Sequence, residues 1–297
     1  MTVILNPGAG SSAAAKPSSQ EKIRQGYKAA GATIQFLEAD GERDVSALAR
    51  EAAQSDDEVI VAAGGDGTIS AVAAEVAGTG KRLGVLPIGT LNHFAKDLRI
   101  PLDLEDAVRT TLHGTAKAVD VAEVNGRIFI NNSSLGLYPH IVAIREEQQE
   151  RFSRGKWPAF ARATVHALHR FPFIDLRISV DDKQLARRTV FLFVGNNEYE
   201  IAGFSLGGRN CMDGGNLGLY LTHSTGRFGL FRLAFRALFG RVEQAEDFEA
   251  FCVQEARIES RRPRLLVARD GEVESMTTPL HYRIRRAALR VLVPHGD

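Results

Sequence analysis

The sequence predicts a protein of two domains, an α/β domain over residues 1–118 and a β-rich sandwich domain over residues 119–297. Up to about residue 118, short apolar runs alternate with segments of helical periodicity, a pattern typical of a parallel sheet covered by helices. Beyond that point, many short strand-like runs follow one another with turns between them, which favours an antiparallel sandwich. A length of 297 residues is sufficient for two cores of this kind.

The elements of the first domain come in a regular order. Strands are predicted at residues 3–5, 33–37, 59–63 and 83–87, and helices at residues 19–30, 45–53, 70–76 and 104–112. In the second domain, strands are predicted at residues 118–124, 127–131, 176–180, 190–194, 217–221, 256–260, 265–268 and 288–293. The first set predicts a Rossmann-like parallel sheet with helices on both faces.

The third predicted strand runs directly into a glycine-rich loop that precedes a helix. Gly64, Gly65 and Gly67 allow close approach of the backbone, and Thr68 adds a hydroxyl, so the loop is suited to binding phosphate at a helix N-terminus. Asp66 is expected to meet a cation, most simply Mg²⁺ on a phosphate chain, or else the ribose-phosphate end of a bound nucleotide. A tight turn with a capping residue is the alternative, and the full motif favours phosphate binding.

Two other loops follow predicted strands in the same way. Asn6 and Gly8 follow the first strand, and Thr90 and Asn92 follow the fourth. Because the carboxyl ends of parallel strands meet at one edge of a sheet, these residues are expected to line the same pocket as the glycine loop.

Together these motifs resemble the catalytic domain of diacylglycerol kinases and the related sphingosine and bacterial lipid kinases. The resemblance covers nearly the whole chain, including residues 89–98 and the late sequence Asp270-Gly271-Glu272. The glycine loop alone is shared with NAD kinases and phosphofructokinases; the segment at 89–98 and the late acidic motif select the lipid-kinase branch. The family fold is a nucleotide-binding α/β domain of the NAD kinase/phosphofructokinase type and a β-rich domain, with the active site in the cleft between them.

The resemblance implies an ATP-dependent lipid kinase that phosphorylates a hydroxyl of diacylglycerol or a related lipid alcohol, with ATP and Mg²⁺ as cofactors. It implies that Asp270 is the general base with Glu272 orienting it, and the reverse assignment stays open. By pattern alone, residues 270–271 fit an Asp-Gly hairpin turn better. The residues expected to bind the nucleotide are Asn6, Gly8, Gly64, Gly65, Asp66, Gly67, Thr68, Thr90 and Asn92.

Three positions depart from the family pattern. Ala71 stands where a Glu is common, and His93 stands where an Asp is usual. Of the later acidic cluster only Asp213 keeps a carboxylate, which weakens the case for a structural Mg²⁺ site there. A non-catalytic nucleotide- or lipid-binding protein is therefore one competing hypothesis. The other is a kinase of a soluble substrate such as NAD, drawn from the wider group that shares the glycine loop.

Composition narrows the class of partner. A net charge of +1 gives no overall attraction to nucleic acid. Cys211 and Cys252 lack metal-ligand spacing and are expected to be small buried residues.

No apolar run approaches the length of a membrane span, which predicts a cytoplasmic location. If the substrate is a lipid, the basic helical patterns at 151–173 and 227–241 suit peripheral contact with the inner membrane face; ordinary core-facing helices are the alternative.

Overall fold

The computed structural model describes residues 1–7, 18–40, 43–136, 173–180, 183–202, 205–209, 211–222 and 248–295. The helices in these ranges are α1 Ser18–Ala29, α2 Val45–Gln54, α3 Asp66–Val76, α4 His93–Asp97 and α5 Leu104–His113. The first strands are β1 Thr2–Leu5, β2 Gln35–Glu38, β3 Val59–Gly64, β4 Arg82–Pro87, β5 Thr115–Val124, β6 Arg127–Phe129 and β7 Asn132–Gly136. Those that follow are β8 Ile174–Val180, β9 Lys183–Thr189, β10 Phe191–Asn196, β11 Tyr199–Ala202, β12 Ser205–Arg209, β13 Leu217–Thr222, β14 Phe248–Val253, β15 Glu255–Ser260, β16 Arg264–Arg269, β17 Glu272–Thr277 and β18 Leu280–Val293.

The N-terminal strands form a parallel sheet in the order β2-β1-β3-β4. Successive side chains of β1 point to opposite faces, so Val3 packs with α1 and α5 while Ile4 packs with α2 and α3. Helices therefore cover both faces of this sheet, which explains why its strands read as continuous apolar runs. Asp44 and Asp103 fix the starts of α2 and α5, because each carboxylate accepts a hydrogen bond from the first turn of its helix.

The β-rich part is built on the same sheet. The last strand, β18, lies parallel to β4 and pairs antiparallel with β5 and β15, and β8 and β9 follow beyond β15. A second, antiparallel sheet has the order β14-β13-β10-β7-β16-β17. Apolar residues of the two sheets meet in one buried cluster, among them Ile178 and Ile258 from the first sheet and Val194 and Val267 from the second. The predicted fold class, a parallel α/β sheet followed by a β-sandwich, is confirmed.

Two differences from the predicted elements bear on how the site is built. The helix predicted from residue 70 begins at Asp66, within the glycine loop itself. The strand predicted at 288–293 extends back to Leu280, and through it the polypeptide on both sides of residue 118 shares one sheet. The proposed boundary at residue 118 lies inside β5.

Two further expectations concern individual segments. Both cysteines are exposed rather than buried, because Cys211 lies in a loop and Cys252 lies on the outer face of β14, where its thiol donates to Glu198. The two basic helical segments, 151–173 and 227–241, lie almost wholly outside the described residues. Among the helices that are described, none has the length and hydrophobicity needed to cross a bilayer.

One buried side chain fastens the β-rich part to α4. The guanidinium of Arg209 is fully buried and pairs with Asp97 at the end of α4, at 2.8 Å. It also donates to the carbonyl of Ile130 at 2.6 Å, to the carbonyl of Asn196 at 3.1 Å and to Oδ1 of Asn131 at 2.9 Å. A planar group with five N–H donors can serve four acceptors at once, here on α4, on β10 and in the segment at 130–131.

We predict that Arg209→Met lowers the free energy of unfolding by about 3–5 kcal/mol, because it leaves the carboxylate of Asp97 without its ion-pair partner and removes one donor from each of three other acceptors. Arg82→Met is the matched control, since the pair that Arg82 forms with Glu58 lies at the surface and contributes about 1 kcal/mol or less. Urea denaturation followed by circular dichroism measures both. Equal losses in the two variants would contradict this account of Arg209.

Candidate active site

Three loops meet at the carboxyl edge of the parallel sheet. β1 ends at Leu5, β3 at Gly64 and β4 at Pro87. Backbone hydrogen bonds join the segments that leave these strands, from Asn6 N–H to the carbonyl of Ala63 at 3.1 Å and from Ile88 N–H to the carbonyl of Gly64 at 3.0 Å. The predicted convergence of Asn6 with the loops at 64–68 and 88–92 is therefore observed; Gly8 lies outside the described residues.

The glycine loop passes directly into the first turn of α3. Gly65 is the N-cap in an extended conformation and offers no side chain to the helix, so the first N–H groups of α3 are available to an anion. A side chain at Gly64 would lie 2.4 Å from that of Thr68. Thr68 is buried, and its hydroxyl accepts a hydrogen bond from the amide of Asn6 at 3.2 Å. These contacts fix the N-terminus of α3 against β1.

Asp66 is the acidic residue of this first turn. One of its carboxylate oxygens accepts a hydrogen bond from Phe94 N–H at 3.4 Å, which ties α3 to α4. Within the described residues the other oxygen accepts no hydrogen bond, and the side chain is half-buried. Mg²⁺ commonly binds one or two carboxylates together with phosphate oxygens and water, so Asp66 fits a metal that arrives with a phosphate chain.

The loop after β4 is closed by its own asparagine. Asn92 adopts the left-handed conformation with φ at 53°, is buried, and exchanges hydrogen bonds with the backbone N–H and carbonyl of Gly89 at 3.1 and 3.0 Å. The amide of Asn92 thus shapes the loop instead of facing a ligand. Thr90 and Leu91 are exposed at the tip, as is His93 beside them.

The two loops touch backbone to backbone. A side chain at Gly89 would lie 2.5 Å from Cα of Gly65 and 2.9 Å from Oδ1 of Asn92. Only glycine at position 89 allows this approach without displacing a loop. The close packing brings the first turn of α3 and the exposed Thr90 to one surface.

Asp270 approaches this edge from the β-rich part of the chain. It stands with Gly271 in the two-residue turn between β16 and β17, and both residues have positive φ, 45° and 95°. Its carboxylate accepts hydrogen bonds from three consecutive backbone N–H groups, those of Ile130 at 2.8 Å, Asn131 at 2.8 Å and Asn132 at 3.0 Å. The Asp-Gly hairpin turn and a carboxylate held by three backbone N–H groups are thus the same feature.

A fourth donor to Asp270 comes from the nucleotide side. The hydroxyl of Ser70, on α3, donates to the same carboxylate oxygen that accepts from Ile130 N–H. This contact joins residues 200 positions apart and brings Asp270 to the helix that begins at the glycine loop. Sequence reasoning did not single out Ser70, since nothing in its local pattern distinguishes it from any half-exposed helical serine.

The structure shows no contact through which Glu272 could orient Asp270. Its side chain is exposed on β17, and within the described residues that side chain has no hydrogen-bond or ion-pair partner, Asp270 included. Backbone N–H groups and Ser70 orient Asp270 instead. The residue before Asp270 also helps, because Arg269 donates to the carbonyl of Ile128 at 2.9 Å and pairs with Glu274 at 2.6 Å.

The structure places Asp213 away from any group of potential metal ligands. Its side chain is exposed, and the described residues contain no cluster of three or more His, Cys, Asp or Glu residues that could hold a metal ion. The neighbouring loop is held by a different carboxylate, that of buried Asp120, which accepts from the N–H groups of Gly215 at 2.7 Å and Ala287 at 2.8 Å. The residues at Asp213 thus do not fit a structural metal.

We predict opposite effects on stability for two alanine substitutions in the glycine loops. Gly89→Ala lowers the free energy of unfolding by about 1–3 kcal/mol, because the new methyl group overlaps the backbone of Gly65. Gly67→Ala, where a methyl group meets no atom within 4 Å, raises it by about 0.5–1 kcal/mol, because alanine favours the helix. Urea denaturation without ligand measures both changes. A stability of Gly89→Ala equal to that of the wild type would show that the loops are not in contact.

The sequence matches two protein-family models. Residues 1–124 match the diacylglycerol kinase catalytic domain, and residues 141–293, just over half of the chain, match the YegS C-terminal NAD kinase β-sandwich-like domain. Among curated proteins, diacylglycerol kinase of Bacillus subtilis (strain 168) is 38% identical over 132 residues, which cover 43% of each chain. Diacylglycerol kinase of Staphylococcus carnosus (strain TM300) is 31% identical over 164 residues, 54% of this chain and 52% of the relative.

A probable lipid kinase YegS-like of Cronobacter sakazakii (strain ATCC BAA-894) is 39% identical over 97 residues, 31% of this chain and 32% of the relative. The matched segments thus span about half or less of these curated relatives.

The fold is also that of solved structures. A crystal structure of a diacylglycerol kinase from Bacillus anthracis str. Sterne covers 99% of this chain and 96% of its own, with a TM-score of 0.67 and 21% identity. Another crystal structure from the same organism gives the same coverage with a TM-score of 0.72 and 23% identity. With both family models matched in order along one chain, the chain belongs to the family that joins a diacylglycerol kinase catalytic domain to a YegS-type C-terminal β-sandwich domain.

Proposed function

We propose that this chain is an ATP-dependent lipid kinase, which transfers the γ-phosphate of ATP to a hydroxyl of diacylglycerol or a related lipid alcohol. The observation that carries the proposal is the contact between Ser70 and Asp270. It places a carboxylate that can accept a proton one helical turn from a loop that is suited to phosphate. A phosphoryl transfer to an alcohol requires these two features together.

The donor half of the site would be the carboxyl edge of the parallel sheet. The phosphates of ATP would lie over the first turn of α3, where the N–H groups of Asp66, Gly67 and Thr68 have no intrahelical acceptor. Thr90, exposed at the tip of the neighbouring loop, can reach the same surface. Asn6 and Asn92 support this site from beneath, since their side chains hold Thr68 and Gly89.

Asp66 is the residue that would hold Mg²⁺ together with the phosphates. A bound metal supplies charge neutralisation on the phosphate chain. The chain's own contribution at this point is the contact from Phe94 N–H, which fixes the direction of the Asp66 carboxylate.

The acceptor half would be Asp270. As the oxygen of the substrate hydroxyl bonds to the γ-phosphorus, the bond from phosphorus to the bridging oxygen of ADP breaks, and the hydroxyl proton passes to the Asp270 carboxylate. Three N–H groups fixed by the backbone between β6 and β7 hold this carboxylate in one orientation. Such preorganisation favours proton transfer, because no side-chain rotation is needed at the moment of reaction.

A lipid acceptor is supported by the relatives that share these motifs, which are described as diacylglycerol kinases and a probable lipid kinase. Peripheral contact with an anionic membrane surface belongs to the same proposal and is supported by the basic sequence patterns at 151–173 and 227–241. A described cavity of about 920 Å³ lies elsewhere, beside residues 252–257 and 281–283, and most of the residues that line it are polar. It does not suit acyl chains.

We expect wild-type protein with Mg²⁺ and radiolabelled ATP to phosphorylate diacylglycerol in mixed micelles. Asp270→Asn should lower the rate by about 100-fold or more, the effect of losing a general base. Its amide oxygen can still accept from Asn131 and Asn132, so circular dichroism should report a folded protein. Glu272→Gln should retain a rate close to that of the wild type, because Glu272 does not contact Asp270.

Three outcomes would overturn parts of this proposal. Wild-type rates in Asp270→Asn together with loss of activity in Glu272→Gln would make Glu272 the base. Phosphorylation of NAD without lipid would identify a kinase of a soluble substrate. ATP binding without transfer to any acceptor would indicate a non-catalytic member of the family.

A further inference from the structure

Asp270 receives hydrogen bonds of two physically different kinds. Three come from backbone N–H groups at 130–132, which are fixed by the strands β6 and β7. The fourth comes from the hydroxyl of Ser70, the one side chain within the described residues that donates to this carboxylate. An ionised carboxylate offers about four acceptor positions, and of the four donors here only the Ser70 hydroxyl can rotate away to free a position for a proton. Ser70 is therefore part of the arrangement that determines where Asp270 stands.

Ser70 belongs to the nucleotide half of the site. It lies on α3 one turn beyond the first N–H groups of that helix, between buried Ile69 and Val72. These two side chains pack in the core formed by α2, α3 and the sheet, so α3 cannot rotate about its axis without opening that core. When the glycine loop at 64–68 is displaced, α3 moves with it as a rigid body, and the hydroxyl of Ser70 moves by the same amount.

The base and the phosphate loop stand on different parts of the chain. Asp270 lies in the hairpin of β16 and β17, which belongs to the second sheet. The glycine loop follows β3, which belongs to the first sheet. The backbone donors at 130–132 relate Asp270 to β6 and β7 and give no direct bond to α3. Ser70 supplies that bond, and it is charge-assisted because its acceptor is a carboxylate.

We propose that Ser70 is a positioning residue for phosphoryl transfer, one that holds the Asp270 carboxylate at a fixed distance from the phosphates bound at the N-terminus of α3. This inference rests on the proposed kinase function and assigns to it a residue that acts through Asp270. Because α3 contacts both the phosphates and, through Ser70, the Asp270 carboxylate, this one helix sets the distance between the base and the γ-phosphate.

The test compares Ser70→Ala and Ser70→Thr with Ser275→Ala, an exposed serine on β17 of the hairpin that carries Asp270. Under the lipid kinase assay, Ser70→Ala should lower kcat by about 10-fold, the effect expected for a hydrogen bond to a charged group. KM for ATP should be unchanged, because the first turn of α3 is intact. Ser70→Thr should restore most of kcat through its hydroxyl, and Ser275→Ala should match the wild type.

Two kinetic results would overturn the inference. Wild-type kcat in Ser70→Ala would mean that the backbone donors alone position Asp270. A rise in kcat/KM for the lipid in Ser70→Ala would mean that Ser70 competes with the substrate hydroxyl for the carboxylate. If the wild type itself transfers no phosphate to any acceptor, the kinase proposal fails, and a second measurement then tests Ser70.

That measurement is hydrogen exchange of the backbone amides at 269–272, with and without a non-hydrolysable ATP analogue and Mg²⁺. Binding at α3 should slow exchange in this hairpin in the wild type and in Ser275→Ala, and the effect should be lost in Ser70→Ala. An analogue that binds the wild type without altering exchange at 269–272, or alters it equally in Ser70→Ala, overturns the coupling.

Discussion

The carboxylate of Asp270 joins the hairpin of β16 and β17 to α3, the helix that begins at the glycine loop. It binds three consecutive N–H groups of the segment between β6 and β7 and the hydroxyl of Ser70 on α3. Hydrogen bonds to a charged group are stronger than those between neutral groups, and several on one carboxylate restrict its position in every direction. The proposed chemistry depends on this restriction, because a base is useful only at a fixed distance from the phosphorus.

Buried polar side chains hold the segment that binds Asp270 in its conformation. Its N–H groups point to Asp270, while the carbonyl groups of Ile130 and Asn131 point the other way. The Ile130 carbonyl accepts from Arg209 and, at 2.8 Å, from Asn196. The carbonyl of Asn131 accepts from Asn196 N–H at 2.9 Å and from Tyr199 hydroxyl at 3.1 Å. Burial raises the pKa of Tyr199 to about 12, so this phenol remains a donor across the physiological range. A bend that forms no strand pairing is thereby fully hydrogen-bonded, as a buried backbone must be.

Much of the nucleotide edge could be predicted from the sequence, since its signals are local. The apolar strand ending in the glycine loop and the turn after β4 each occupy a few consecutive residues, and parallel strands bring their carboxyl ends to one edge. The positions of Asn6 and Thr68 follow from that geometry.

What could not be predicted depends on contacts between distant residues. Ser70, Arg209 and Asp120 act on partners about 80 to 200 positions away, and their types and spacing carry no signal of it. Asn92 was correctly placed at the edge, but its left-handed backbone directs its amide into its own loop. The shared sheet was missed because β18 reads as a short strand until its pairing with β5 and β15 extends it.

A crystal structure of this chain with Mg²⁺ and a non-hydrolysable ATP analogue would test the proposed site most directly. We expect the phosphates to lie over the first turn of α3, between the loops at 64–68 and 88–92, with the terminal phosphate facing the Asp270 carboxylate. A nucleotide that binds elsewhere, or that binds at α3 with its terminal phosphate directed away from Asp270, would contradict it.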